Sequence, residues 1–181
     1  MRKLFLSLVL VLSANTFFAQ SSSLFDKFED QEGITSVIVN KKMFTLLSKM
    51  QVKDKQEQQY VNLIKKLENL RVFVTQSDKK ADEMKLISDK YIKSSALEEL
   101  MKINDKGKNV KIYVKSGATE SQIKELMMFI EGSGKEETVL MSLLGDFDLN
   151  ELSVLTDKMN LPGGDDLKRA SKGSKGSKAP K

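Results

Sequence analysis

Apolar and polar positions along this chain repeat with two periods, and the switches between them mark its elements. ITSVIVN, Ile34 to Asn40, is β-branched and predicts a first strand. Asn40 can then cap a helix whose Met43, Phe44, Leu47 and Met50 lie at helical spacing. Asp54-x-x-Glu57 resembles a capping box, with Asp in place of Ser or Thr. Behind it Tyr60, Leu63, Ile64 and Leu67 follow the i, i+3, i+4, i+7 pattern of a core-facing helix stripe. LRVFVT, Leu70 to Thr75, is a second strand with Leu70, Val72 and Val74 on one face. Asp78 opens a third helix, with Ala81, Met84, Ile87 and Tyr91 inward.

From Leu97 the period shortens. LEELMKI, NDKGK and NVKIYVK read as a hairpin, in which Val110, Ile112 and Val114 alternate with Lys111, Tyr113 and Lys115. Gly107 supplies the positive φ that such a turn favours. Residues 119–130 fit both templates: Ile123, Leu126, Met127 and Ile130 fit a helix, while Leu126, Met128 and Ile130 alternate as in a strand. TVLMSLLG is apolar on both faces, as a central strand would be. A last helix carries Leu149, Leu152, Leu155 and Met159, and Leu161-Pro162-Gly163-Gly164 stops it. Near the amino terminus Ser23 and Asp26 mark a weaker helix start, with Leu24, Phe25 and Phe28 as its apolar face.

The two ends differ from the middle. Arg2 and Lys3 precede the apolar run Leu4 to Leu12, which leads to Ala19-Gln20, the layout of a secretory signal peptide. Cleavage after Ala19 is expected, so residues 1–19 are read as the signal and residues 20–166 as one domain. SKGSKGSKAPK at the carboxyl terminus offers almost nothing to bury, and residues 167–181 are expected to be a disordered Lys/Gly/Ser tail.

Charge follows this division. Residues 167–181 hold six of the 30 basic residues and no acid, and residues 1–19 hold two; the remaining 22 face all 25 acids. The body is therefore near −3 and the tail +6, so a body-wide basic footprint for nucleic acid is absent. The tail cations Lys168, Arg169, Lys172, Lys175, Lys178 and Lys181 are candidates for contact with an anionic surface. There is no His, Cys or Trp, which excludes thiol nucleophiles, Cys/His zinc sites and histidine bases.

The remaining chemistry is carboxylate chemistry. Asp146-x-Asp148 could share a hard cation, although Ca²⁺ wants six to eight oxygens and no EF-hand-like loop surrounds the pair. Asp148 with Glu151 three residues on also forms a helix-capping pair, which is the simpler reading. Acidic doublets such as Asp82-Glu83 and Glu98-Glu99 read as solvated surface, and Ser48-Lys49 and Lys93-Ser94 as chance neighbours. The scattered methionines read as core filling rather than as a copper site.

The order of a secretion signal, FDKFED, a strand, helices, NVKIYVK, ELMMFI and VLMSLLGDFDLNEL is similar to a bacterial family known as domain of unknown function 4252. The resemblance covers most of residues 24–162. It implies a small exported α+β domain of the cell envelope, implies that ELMMFI is a strand, and implies no activity. The fold expected is α+β: one antiparallel sheet of about six strands with helices on one face, in the order β-α-α-β-α-β-β-β-β-α. The function expected is that of an exported, non-enzymatic envelope protein that needs no cofactor and is not integral to the membrane. Its partner would be another protein or an anionic envelope component. The alternatives are a carboxylate hydrolase, or a low-affinity divalent-metal binder at Asp146 and Asp148. An enzyme would require convergent Asp or Glu in a concave pocket.

Overall fold

The computed structural model describes residues 24–105, 108–119, 121–132, 136–159 and 162–173. Six strands form one antiparallel sheet: β1 (Thr35–Asn40), β2 (Leu67–Thr75), β3 (Glu98–Asp105), β4 (Lys108–Ser116), β5 (Gln122–Glu131) and β6 (Thr138–Asp148). Their spatial order is β1-β2-β6-β5-β4-β3. Among the described residues five helices accompany the sheet: α1 (Lys41–Leu47), α2 (Lys55–Lys66), α3 (Asp78–Ser95), α4 (Leu152–Met159) and α5 (Gly164–Gly173). The fold is α+β, as the sequence predicts. Among the described residues no helix is long and apolar enough to cross a membrane.

The helix starts are chemical. The Asn40 side chain accepts from the Met43 N–H at 3.1 Å and opens α1. Asp54 accepts from the Glu57 N–H at 2.8 Å, and Glu57 reaches back to the Lys53 N–H at 2.7 Å, one residue before the usual box position. α2 then passes directly into β2 at Leu67, whose backbone is already extended. Only Phe44 and Leu47 of the expected α1 stripe turn inward; Met43 and Met50 are exposed. The ambiguous stretch is strand β5, and it pairs with β4 and β6.

β6 lies between β2 and β5 and is covered on both faces, so its apolar run has no polar side to show. That burial corrects the expectation of helices on one face. Leu70, Val72, Leu126, Met128, Met141 and Leu143 point to one side, where α1, α2, α4 and α5 pack. Phe73, Met127, Phe129 and Leu140 point to the other, under Phe25, Phe28, Met84 and Tyr91 from the amino-terminal segment and α3. The amino-terminal segment makes one 3-10 turn, Asp26–Phe28, rather than a helix.

A second correction concerns the carboxyl terminus. Residues 164–173 are helix α5, and its Leu167 and Ala170 are buried in the main core. The domain therefore continues past the expected boundary at 166: two apolar side chains three residues apart among lysines suffice to dock one helix face. Gly163, at φ +74°, turns the chain into α5, and a Cβ there would meet the Met128 Cε at 2.5 Å. The expected signal at 1–19, the turn glycine Gly107 and the tail at 174–181 lie outside the described residues.

Candidate functional site

Three neighbouring strands lose regular pairing at the same level of the sheet. On β2, Glu68 is skipped between Leu67 and Asn69. On β5, Lys124 is skipped between Ile123 and Glu125, and it faces the two residues Gly145 and Asp146 of β6. Bulges re-aim side chains and gather next to functional sites. Gly145 is required here by closeness rather than by φ: a Cβ would lie 2.6 Å from the Lys66 carbonyl oxygen and 2.9 Å from the Leu67 Cα.

The bulged residues line one cleft of about 630 Å³ on the α3 side, formed by Glu68, Tyr91, Ser94, Ser95, Ala96, Lys115, Lys124, Glu125, Leu144, Gly145 and Asp146. At its floor the buried Glu125 carboxylate accepts from the Tyr91 hydroxyl at 2.5 Å. Burial pushes the Glu125 carboxyl up, against the Tyr91 hydrogen bond and the Lys115 charge. At the rim Asp146 accepts from Lys124 at 2.5 Å and from the Gln122 side-chain amide. The Lys124 contact, aided by Gln122, holds the Asp146 carboxyl below its ordinary range.

Ala96 caps α3 in the left-handed region, at φ 52° and ψ 47°, where glycine is the usual residue. Beside it the Ser95 hydroxyl is buried with no hydrogen-bond partner. An adjoining cavity of about 240 Å³ shares Tyr91 and Leu144 and adds Phe25, Asn69, Arg71 and Ser142. The Asn69 side-chain carbonyl there is likewise buried without a partner. Arg71, on the wall of this cavity, pairs with Asp26 at 2.8 Å and with Glu29 at 3.6 Å.

The sequence candidates are distributed as follows. Asp148 caps the 3-10 turn Leu149–Glu151 and forms the box with Glu151. Its oxygens accept from the Asn150 N–H at 2.8 Å and the Ser121 hydroxyl at 2.8 Å. Burial raises its carboxyl, but those hydrogen bonds outweigh it and the net shift is downward. Asp146 and Asp148 do share a shallow depression with Lys66, Ser121 and Gln122. Both carboxylates are engaged there, and among the described residues no three His, Cys, Asp or Glu side chains could hold a metal.

Lys168 and Arg169 belong to α5 and face its own acids, Asp165 at 3.8 Å and Asp166 at 3.6 Å. The Lys172 side chain, and Lys175, Lys178 and Lys181 entirely, lie outside the described residues. Ser48 and Ser94 donate to the Thr45 and Tyr91 carbonyls at 2.8 and 3.1 Å. Sequence reasoning missed Glu125 and Tyr91, the centre of the cleft. The signal present was a carboxylate abutting five consecutive apolar residues, Leu126 to Ile130, inside a strand.

No curated protein and no solved structure matches the chain. A family model does, over residues 28–155, a span that takes in β1 to β6 and the first half of α4. By that match, and by the sheet it spans, the chain belongs to the family described as Domain of unknown function (DUF4252).

Proposed function

We propose that the protein is an exported, non-enzymatic binding module of the cell envelope, and that its ligand site is the cleft over Tyr91 and Glu125. The observation that carries the reading is the cleft itself, about 630 Å³ between the end of α3 and the bulged strands, with the buried Tyr91–Glu125 hydrogen bond at its floor and a second cavity beside it that shares Tyr91 and Leu144. The cleft's charges largely answer one another: Lys124 with Asp146, and Lys115 near Glu125. A neutral ligand with hydroxyl or amide groups therefore fits better than an ion. Leu144, Ala96 and the Tyr91 ring offer it an apolar wall.

Export rests on the basic and apolar start of the chain and on the envelope character that the resemblance implies. Mass measurement of the mature chain from a periplasmic fraction tests it: an amino terminus at Gln20 is expected, and a chain retaining Met1 would sink it.

The second reading, a carboxylate hydrolase, is favoured by one observation. The cleft brings together a carboxyl biased toward its protonated form, Glu125, and one biased toward its ionised form, Asp146. Incubation with di-N-acetylchitobiose separates the two readings. Binding that is lost in Leu144→Trp, with no cleavage product, supports the module. Cleavage that disappears in Glu125→Gln would establish the enzyme instead.

A further inference from the structure

Eight large apolar side chains are exposed among the described residues, and six of them lie between residues 37 and 52: Val37, Ile38, Met43, Leu46, Met50 and Val52. Phe44 and Leu47 spend the inner side of α1 on the core. Met43 (48% exposed) and Leu46 (54%) stand three residues apart on the outer side of α1, and Met50 (58%) follows in the turn after it. Val37 adds to these from β1, on the sheet face that α1 covers, where it pairs with Val72. An apolar group of this kind on one side of a small domain marks a docking surface.

Charge says what docks. Residues 33–53 contain Lys41, Lys42, Lys49 and Lys53 and no acid. Lys41 is drawn inward, donating to the Lys65 and Leu67 carbonyls at 3.0 Å each. Lys42, Lys49 and Lys53 are exposed around the apolar stripe. The nearest acids in sequence, Asp54 and Glu57, are turned onto the start of α2.

A second copy of the chain would oppose lysine to lysine, although β1 is an edge strand without the charges and register shift that guard the other edge, β3. With Phe44 and Leu47 turned to the core, Met43 and Leu46 stand out from the exposed side of α1 as a ridge. Apolar residues on a ridge, rimmed by lysine, match the boundary between acyl chains and anionic headgroups. We propose that the ridge made by α1 and the turn after it, with Met43, Leu46 and Met50 inserted and Lys42, Lys49 and Lys53 at the rim, docks the domain on an anionic lipid surface. The cleft opens on the α3 side of the sheet, so docking leaves it accessible.

The chain contains no Trp, so Leu46→Trp in the full chain is a local reporter. Leu86→Trp, at a 70% exposed position on α3, is its control. With vesicles of equal phosphatidylglycerol and phosphatidylcholine, the Leu46→Trp emission should shift to the blue and be quenched by brominated acyl chains, while the control stays unchanged. Adding Lys42→Gln and Lys49→Gln should weaken the effect about thirtyfold, from about 1 kcal/mol per lysine near such a surface. The proposal is overturned by an equal shift in the control, or by an equal shift with phosphatidylcholine alone. It is also overturned by a shift without vesicles that grows with protein concentration, which would assign the ridge to a second copy.

Discussion

Glu125 sits where burial and hydrogen bonding oppose each other, and burial dominates. Its folded pKa is raised, so the folded state holds the proton more tightly than the unfolded chain does. The stabilisation is complete below the unfolded value of about 4.3 and is lost as pH rises through the folded value. Urea unfolding of native protein and Glu125→Gln across that window should show the native chain losing more stability than the variant as pH rises; parallel curves would contradict the burial argument. Asp148 acts with the opposite sign, its stabilisation being lost as pH falls through its lowered value. Asp148→Ala should cost about 1 kcal/mol, and Asp148→Asn much less, because asparagine also caps. Ala96 bears a left-handed backbone without being glycine. Ala96→Gly should therefore raise stability, by up to about 1 kcal/mol, and a fall would show that the methyl packs against something essential. Gly145→Ala has no such freedom: it drives a methyl into the Lys66 carbonyl and should cost about 1–3 kcal/mol.

At the scale of elements, the docking of α5 decides where the domain ends. Leu167 is fully buried against the main core. Leu167→Ala should cost about 2–5 kcal/mol by chemical denaturation; a neutral result would return residues 164–173 to the status of a tail. The sequence expectation failed here because a lysine-rich segment with two apolar positions looks like tail until a receiving surface is known. By contrast, β6 was legible because a run with no polar face admits only a central position. The capping pairs at Asp54 and Asp148 were legible because a cap is a local contact. The second helical layer was not legible: the alternation in β5 and β6 is apolar on both sides, and only Phe73, Met127, Phe129 and Leu140 together reveal a second core. The cleft was hidden for the same physical reason. Tyr91 and Glu125 are 34 residues apart, and the two bulges that shape the cleft are properties of strand pairing, which no single strand displays.

At the scale of the whole molecule, the sheet separates two surfaces. The α1 side presents an apolar ridge edged with lysine, and the α3 side presents the cleft over Tyr91 and Glu125. This division suits a module that would hold a ligand on one side while docked by the other. Residues of the cleft come from β2, α3, β4, β5 and β6, so the site exists only in the folded domain. The central claim is that the cleft over Tyr91 and Glu125 is the site for a neutral, hydrogen-bonding ligand. Mapping a set of neutral hydroxyl- and amide-bearing fragments by backbone amide NMR tests it most directly. The account predicts shifts concentrated at Tyr91, Ser95, Ala96, Glu125 and Leu144 and abolished by Leu144→Trp; fragments gathering elsewhere on the domain, or nowhere, would contradict it.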